Sequence, residues 1–199
     1  RRPRRRGISM VAALHSKAPG SVRIIGGQWR RTRLPVLDVP TLRPSGDRVR
    51  ETLFNWLQPV ITGSRCLDLF AGTGVLGFEA ASRGAREVAM VEQDHKVVKV
   101  LAEAAWRLSA QAVTIVNQNV LAYLDGPGRP FDIVFIDPPF AHGLWEPCML
   151  KLQAGGWLQP GAYVFLETPH GITLSLPARW KVERSARAGN VDYLLARAH

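Results

Sequence analysis

Cysteine is scarce in this 199-residue chain. Cys66 and Cys148 are too few for a disulfide framework, and both stand in apolar stretches. They read as buried thiols of a reducing cytosol, so a cytoplasmic location is expected. No apolar run approaches the about 20 residues of a membrane span, and nothing has the layout of a secretory signal peptide. No internal repeat and no metal-ligand cluster stands out. A chain this short suits one domain with a brief extension, expected to be a monomer.

Acidic residues are few as well: 16 against 26 Lys and Arg, for a net charge of +10. The imbalance is local. The first fifty residues carry thirteen basic side chains against Asp38 and Asp47, whereas the rest carry thirteen against fourteen acidic ones. A basic N-terminal segment on a neutral body points to a polyanionic partner. The run Arg1 to Arg6 alone is equally readable as a solubilising tail. That reading does not reach Arg23, Arg30, Arg31, Arg33, Arg43, Arg48 and Arg50, which are interleaved with strand and helix signals and are the candidate contacts to that polyanion.

Three parts follow along the chain. Residues 1–20 are rich in Arg, Pro, Ser and Gly without periodicity, and are expected to be a flexible basic extension. Residues 21–60 predict a β-hairpin, Val22 to Ile25 and Trp29 to Leu34 around Gly26-Gly27, then a helix capped by Ser45 and Asp47 and ending near Pro59. Val49, Leu53, Trp56 and Leu57 give that helix one apolar face, with Arg48 and Asn55 off the stripe. From about residue 61 strands and helices alternate. Strands are expected at 65–70, 87–91, 112–116, 131–136 and 162–166, then a hairpin 179–187 and 191–197 around Gly189-Asn190. The alternation predicts an α/β fold, an open parallel sheet with helices on both faces. Ligands of such sheets bind at the carboxyl ends of the strands.

At the end of the first of these strands stands Asp68-Leu69-Phe70-Ala71-Gly72-Thr73-Gly74-Val75-Leu76-Gly77. Gly72, Gly74 and Gly77 match G-x-G-x-x-G between a strand and a helix, with Glu92 twenty residues after Gly72. Glu92 ends the next strand, where a carboxylate accepts hydrogen bonds from both ribose hydroxyls of a dinucleotide or of S-adenosylmethionine (SAM). Asp68 separates the two ligands: beside the glycine loop it would repel a pyrophosphate and favour the cationic methionyl end of SAM. Its other reading is a buried cap for the loop backbone. Asn119 either offers an amide oxygen to the adenine amine, with Val120 against the ring, or caps a helix.

Asp137-Pro138-Pro139-Phe140 follows the 131–136 strand at the same sheet edge. A base amine is a poor nucleophile because its lone pair is delocalised into the ring. A carboxylate and a backbone carbonyl fixed by consecutive prolines can accept its two N–H groups and return electron density to nitrogen. An aromatic side chain next in line can stack on a base turned out into the pocket. A dehydrogenase has no use for this set.

With Arg23-Ile24-Ile25-Gly26-Gly27, Arg43-Pro44 and the segment Asp47 to Leu57, these motifs resemble the bacterial 16S ribosomal RNA guanine-N2 methyltransferases, the small-subunit methyltransferase D family. The similarity runs from about residue 22 to the C-terminus, and residues 43–57 are its family-specific part. It implies a Rossmann-like SAM-dependent methyltransferase fold, with a seven-stranded, mostly parallel sheet, a C-terminal antiparallel hairpin, and an N-terminal hairpin and helix. It implies SAM as methyl donor, held by Asp68 to Gly74, Glu92 and Asn119, and a target base handled by Asp137, Pro138 and Phe140. It also implies action on one guanine of 16S RNA, in the 30S subunit or its precursor. Many relatives carry Asp where Asn119 stands, and residues 1–20 lie outside the pattern. Two other classes share features: a DNA adenine-N6 methyltransferase, for which 199 residues leave little room for target recognition, and a non-catalytic ribosome-assembly factor, which has no need of Asp137 and Glu92.

Overall fold

Strands covered on both faces must be apolar on both sides, and four short runs of the chain meet that condition. In the computed structural model, which describes residues 20–37 and 46–199, they become β3 (Arg65–Asp68), β4 (Glu87–Glu92), β5 (Val113–Asn117) and β6 (Phe131–Ile136), all parallel. β7 (Leu158–Pro169) continues the parallel set, and β9 (Val191–Ala198) and β8 (Trp180–Ala188) add an antiparallel hairpin. The strand order is β5-β4-β3-β6-β7-β9-β8, the expected seven-stranded mixed α/β sheet. Two further strands, β1 (Ser21–Arg23) and β2 (Arg33–Pro35), form a separate antiparallel pair.

Helices cover both faces, and the strands alternate between them. Ile133 and Phe135 of β6 face α1 (Asp47–Ile61), α2 (Val75–Ser82) and α3 (His95–Arg107); Phe131, Val134 and Ile136 face α4 (Val120–Leu124) and α5 (Trp145–Ala154). No helix among the described residues is long and apolar enough to cross a membrane. Cys66 and Cys148 are both buried free thiols.

Where element limits differ from the sequence reading, a local interaction accounts for it. β1 and β2 are shorter than expected because the turn between them, closed by Ile24 N–H to the Thr32 carbonyl (2.9 Å) and Arg31 N–H to the Ile24 carbonyl (2.8 Å), also bonds to α2: Gln28 N–H donates to the Ser82 carbonyl and Trp29 N–H to Ser82 Oγ, both at 2.9 Å. α1 passes through Pro59 to Ile61. The hydrogen bond lost there is the one to the carbonyl of exposed Asn55, which water can satisfy. Among the described residues no side chain caps α1: Gly46 is its N-cap, Asp47 instead pairs with Arg23 (3.0 Å) and Arg50 (2.6 Å), and Ser45 lies outside the described residues.

One buried carboxylate ties the N-terminal segment to the sheet. Glu79, fully buried on α2, accepts from Ile25 N–H (2.7 Å) and Gly26 N–H (2.8 Å), and pairs with Arg83 (2.8 Å) and Arg50 (3.7 Å). Arg50, also fully buried, donates to the Arg23 carbonyl at 2.7 Å. Gly27 completes the fit: its φ is +75°, and a Cβ there would lie 1.9 Å from the Ser82 carbonyl oxygen. Removing one member of such a set leaves the other charges buried without their counterpart. Glu79→Ala should therefore cost about 3–5 kcal/mol of unfolding free energy. Arg23→Ala, whose side chain is 58% exposed, should cost at most about 1 kcal/mol. Urea midpoints measure both, and equal losses would show that the buried set is not what anchors this segment.

Candidate active site

Parallel strands end together, so the residues after β3, β4, β5 and β6 and those near the carboxyl end of β7 meet at one edge. They enclose a cavity of about 720 Å³, within the range of small-molecule sites. Its wall includes Phe70, Ala71, Gly72, Thr73, Glu92, Asn119, Val120, Asp137, Pro138 and Phe140. These expected donor-site and base-site residues are thus brought to one place.

The glycine loop is held from beneath. Ala71 N–H donates to the Val91 carbonyl at 3.0 Å, and Gly74, at φ +75°, turns the chain into α2. Glu92 braces the loop from the side: Oε2 accepts from Gly72 N–H at 3.0 Å and Oε1 from Asp94 N–H at 2.9 Å. Each carboxylate oxygen has a second lone pair for a ligand hydroxyl.

Three cofactor-site expectations change. Asp68 does not line the cavity; it is buried beneath the loop, where Oδ2 accepts from Gly77 N–H at 3.1 Å. It is the loop's internal cap, so it does not present a charge to a ligand. Burial pushes its carboxyl up to about 7, against the hydrogen bonds from Gly77 and Phe70. Gly74 likewise shapes the loop without lining the cavity. Asn119 lines the cavity, but its Oδ1 caps α4, accepting from Leu121 N–H (3.0 Å) and Ala122 N–H (3.3 Å). With both lone pairs occupied, that oxygen has no acceptor left for an adenine amine. Its Nδ2 donates to Gln93 Oε1 at 3.2 Å, which sets a second cavity side chain.

Beyond β6 the wall changes character. Phe140 opens a short turn, Phe140–His142, and its ring tilts against Trp145 at 6.2 Å. Trp145 Nε1–H in turn donates to the Glu167 carbonyl at 2.8 Å, which pins the aromatic pair to β7. Glu167 also lines the cavity and was not singled out from the sequence. The signal was present: like Glu92, it is a carboxylate closing an apolar strand.

The candidate RNA contacts separate. Arg48 is exposed and lines the cavity beside Val49. Arg50 is corrected: buried against Asp47 and Glu79, it is out of reach of any phosphate. Burial lowers its pKa while the two carboxylates oppose the shift. Arg23, Arg30, Arg31 and Arg33 are exposed and outside the cavity wall. The turn carrying Arg30 and Arg31 packs at the Ser82 end of α2, away from the glycine loop. Arg43 lies outside the described residues.

The state of Asp68 has a measurable consequence. Its folded value of about 7 lies above the ordinary 3.8, so folding takes up a proton between those values. The stability this group contributes is full below the ordinary value and is lost as pH rises through about 7. Asp68→Asn cannot titrate. Wild type should therefore lose melting temperature relative to it as pH rises from about 4 to about 7. A gap independent of pH would contradict a buried, protonated carboxyl.

Comparison with known proteins places the chain in a family. Residues 22–197 match the family model described as Conserved hypothetical protein 95. The ribosomal RNA small subunit methyltransferase D of Escherichia coli (strain K12) is 47% identical over 178 residues, 88% of this chain and 89% of that protein. That of Haemophilus influenzae is 45% identical over 89% of this chain and 94% of its own length. A solved Escherichia coli structure, named as a candidate methyltransferase, superposes with a TM-score of 0.82 at 46% identity, covering 90% of this chain and 98% of the other. The chain belongs to the ribosomal RNA small subunit methyltransferase D family.

Proposed function

We propose that this chain methylates the exocyclic N2 amine of one guanine in 16S ribosomal RNA, on the 30S subunit or its precursor. At the coarser level it is a SAM-dependent methyltransferase of small-subunit ribosomal RNA. The observation that carries the finer reading is the position of Asp137-Pro138-Pro139-Phe140, in the same cavity wall as the glycine loop and directly after the central strand β6.

The half of the cavity built on β3, β4 and β5 fits SAM. Glu92 accepts from the ribose hydroxyls, Val120 packs against the adenine, and Phe70 to Gly72 border the methionyl end. SAM supplies a methyl group on a sulfonium: the base nitrogen bonds to the methyl carbon as the carbon–sulfur bond breaks, and that electron pair stays on sulfur. The protein's own part is to prepare the nitrogen. Asp137 and the Pro138 carbonyl accept its two N–H groups, which localises its lone pair and aims it at the donor half. Asp137 then receives the proton the nitrogen sheds. Phe140, backed by Trp145, stacks on the extruded base. Arg48 neutralises a phosphate at the cavity mouth, and Arg23, Arg30, Arg31 and Arg33 lie on outer surfaces for more distant ones. Arg43 and the basic residues 1–20 extend the same positive field in sequence.

Labelled SAM, 30S particles from cells lacking the enzyme, and identification of the methylated nucleoside test the reading. Label on guanine N2 is the expected result; label on an adenine, or on DNA in preference to the particle, would overturn it. Asp137→Ala should slow single turnover by roughly 10²–10³. Arg48→Ala should reduce the salt slope of log K for the particle by roughly 0.7–0.9, one phosphate contact. Wild-type values in either variant would remove that residue from the assigned role.

A further inference from the structure

On the reading of the target as guanine N2, we infer that Glu167 accepts the N1–H of that guanine and so selects guanine among the bases that carry an exocyclic amine. The placement follows from sheet register. β6 and β7 run parallel with Phe135 beside Phe165 and Ile136 beside Leu166. The next residues along are Asp137 and Glu167, on strands about 4.8 Å apart. Phe135 and Phe165 face the layer of α1, while Ile136 and Leu166 face the opposite layer. Continued alternation turns Asp137 and Glu167 toward α1, whose Arg48 and Val49 line the same cavity. Both acids line it as well, and Glu167 is only 5% exposed.

The order across the sheet then matches the edge of the base. The glycine loop follows β3, Asp137 follows β6, and Glu167 stands near the carboxyl end of β7, one strand further from the donor half. A guanine whose N2 is held by Asp137 and aimed at the donor half presents N1–H as its next group. A carboxylate accepts from that donor. Adenine and cytosine both place an unprotonated ring nitrogen next to their amine, and its lone pair would face the carboxylate oxygens. Among amine-bearing bases, guanine alone supplies two adjacent donors for two adjacent acids. The strand end is rigid enough for the task, since Glu167 pairs with Tyr193 of β9 and its carbonyl is bonded to Trp145. The residue that reads the base edge is thereby coupled through its own backbone to the ring that supports Phe140.

The test uses 30S particles reconstituted with the target guanine or with 2-aminopurine at that position. 2-Aminopurine keeps the C2 amine and lacks the N1–H. Single-turnover rates are measured for wild type and Glu167→Gln. Wild type should prefer guanine by at least about 100-fold, the scale of a site built to bond a donor that the analogue lacks. Glu167→Gln can rotate an amide N–H toward the bare N1, so its preference should fall at least about tenfold below that of wild type. Equal wild-type rates on the two bases would overturn the inference, whatever the variant does. So would a Glu167→Gln protein of wild-type SAM affinity that keeps the full preference. Should the variant not fold, the wild-type ratio decides alone. The methylated nucleoside from the guanine particle separates the two levels: product other than N2-methylguanosine sinks the target reading itself, whereas N2-methylguanosine with no discrimination sinks only the role of Glu167.

Discussion

A carboxylate buried in a helix is costly unless hydrogen bonds and opposite charge surround it, and the N-terminal half of this fold is arranged to surround Glu79. Its oxygens hold Ile25 and Gly26 by their backbone N–H groups and meet the guanidinium groups of Arg83 and Arg50. Through Arg50 the same set reaches Asp47 and the carbonyl of Arg23. Three separate segments therefore share one electrostatic centre: residues 21–27, the first turn of α1, and α2. The consequence for function is positional. α2 starts at the glycine loop, and α1 starts at Gly46, Arg48 and Val49 in the cavity wall. Fixing the two helices to each other fixes two walls of the site.

Sheet topology supplies the remaining walls and divides their labour. β3, β4 and β5 end in a glycine loop, a carboxylate and a helix cap, groups suited to a nucleoside with a charged tail. β6 and β7 end in two acids with an aromatic pair between them, groups suited to the edge and face of a base. β6 lies beside both β3 and β7, so the acid at its end stands between these two sets of groups. A crevice that joins two different ligands at the carboxyl edge is what an open parallel sheet offers.

Much of this was legible in the residues. Continuous apolar runs gave the strands, and the glycine loop and Asp137 to Phe140 announced themselves by their position after strands. The misreadings have a common cause: a polar side chain does not declare its partner. Arg50 recurs with Leu53, Phe54 and Leu57 at i+3, i+4 and i+7, so helical period alone puts it on the buried face. Its charge argued for the surface, and only Glu79, a lone acid in the apolar segment 75–82, resolves the conflict. Asp68 and Asn119 were each readable as ligand contacts or as caps, and the backbone N–H groups of Gly77, Leu121 and Ala122 claim them. Gly26-Gly27 reads as a hairpin turn in isolation. It does lie in the connection of the β1–β2 hairpin, and it is also a docking surface for α2, which no local pattern encodes.

In the proposed assignment one cavity holds the methyl donor in one half and the base in the other, with Glu92 and Asp137 on opposite sides of the division. Calorimetric titration of SAM into wild type, Glu92→Ala and Asp137→Ala distinguishes the two halves. Two charge-assisted hydrogen bonds to the ribose are worth roughly 1.5–3 kcal/mol each, so Glu92→Ala should weaken SAM by at least about tenfold, while Asp137→Ala binds it as wild type does. Loss of SAM affinity in Asp137→Ala with none in Glu92→Ala would contradict the division.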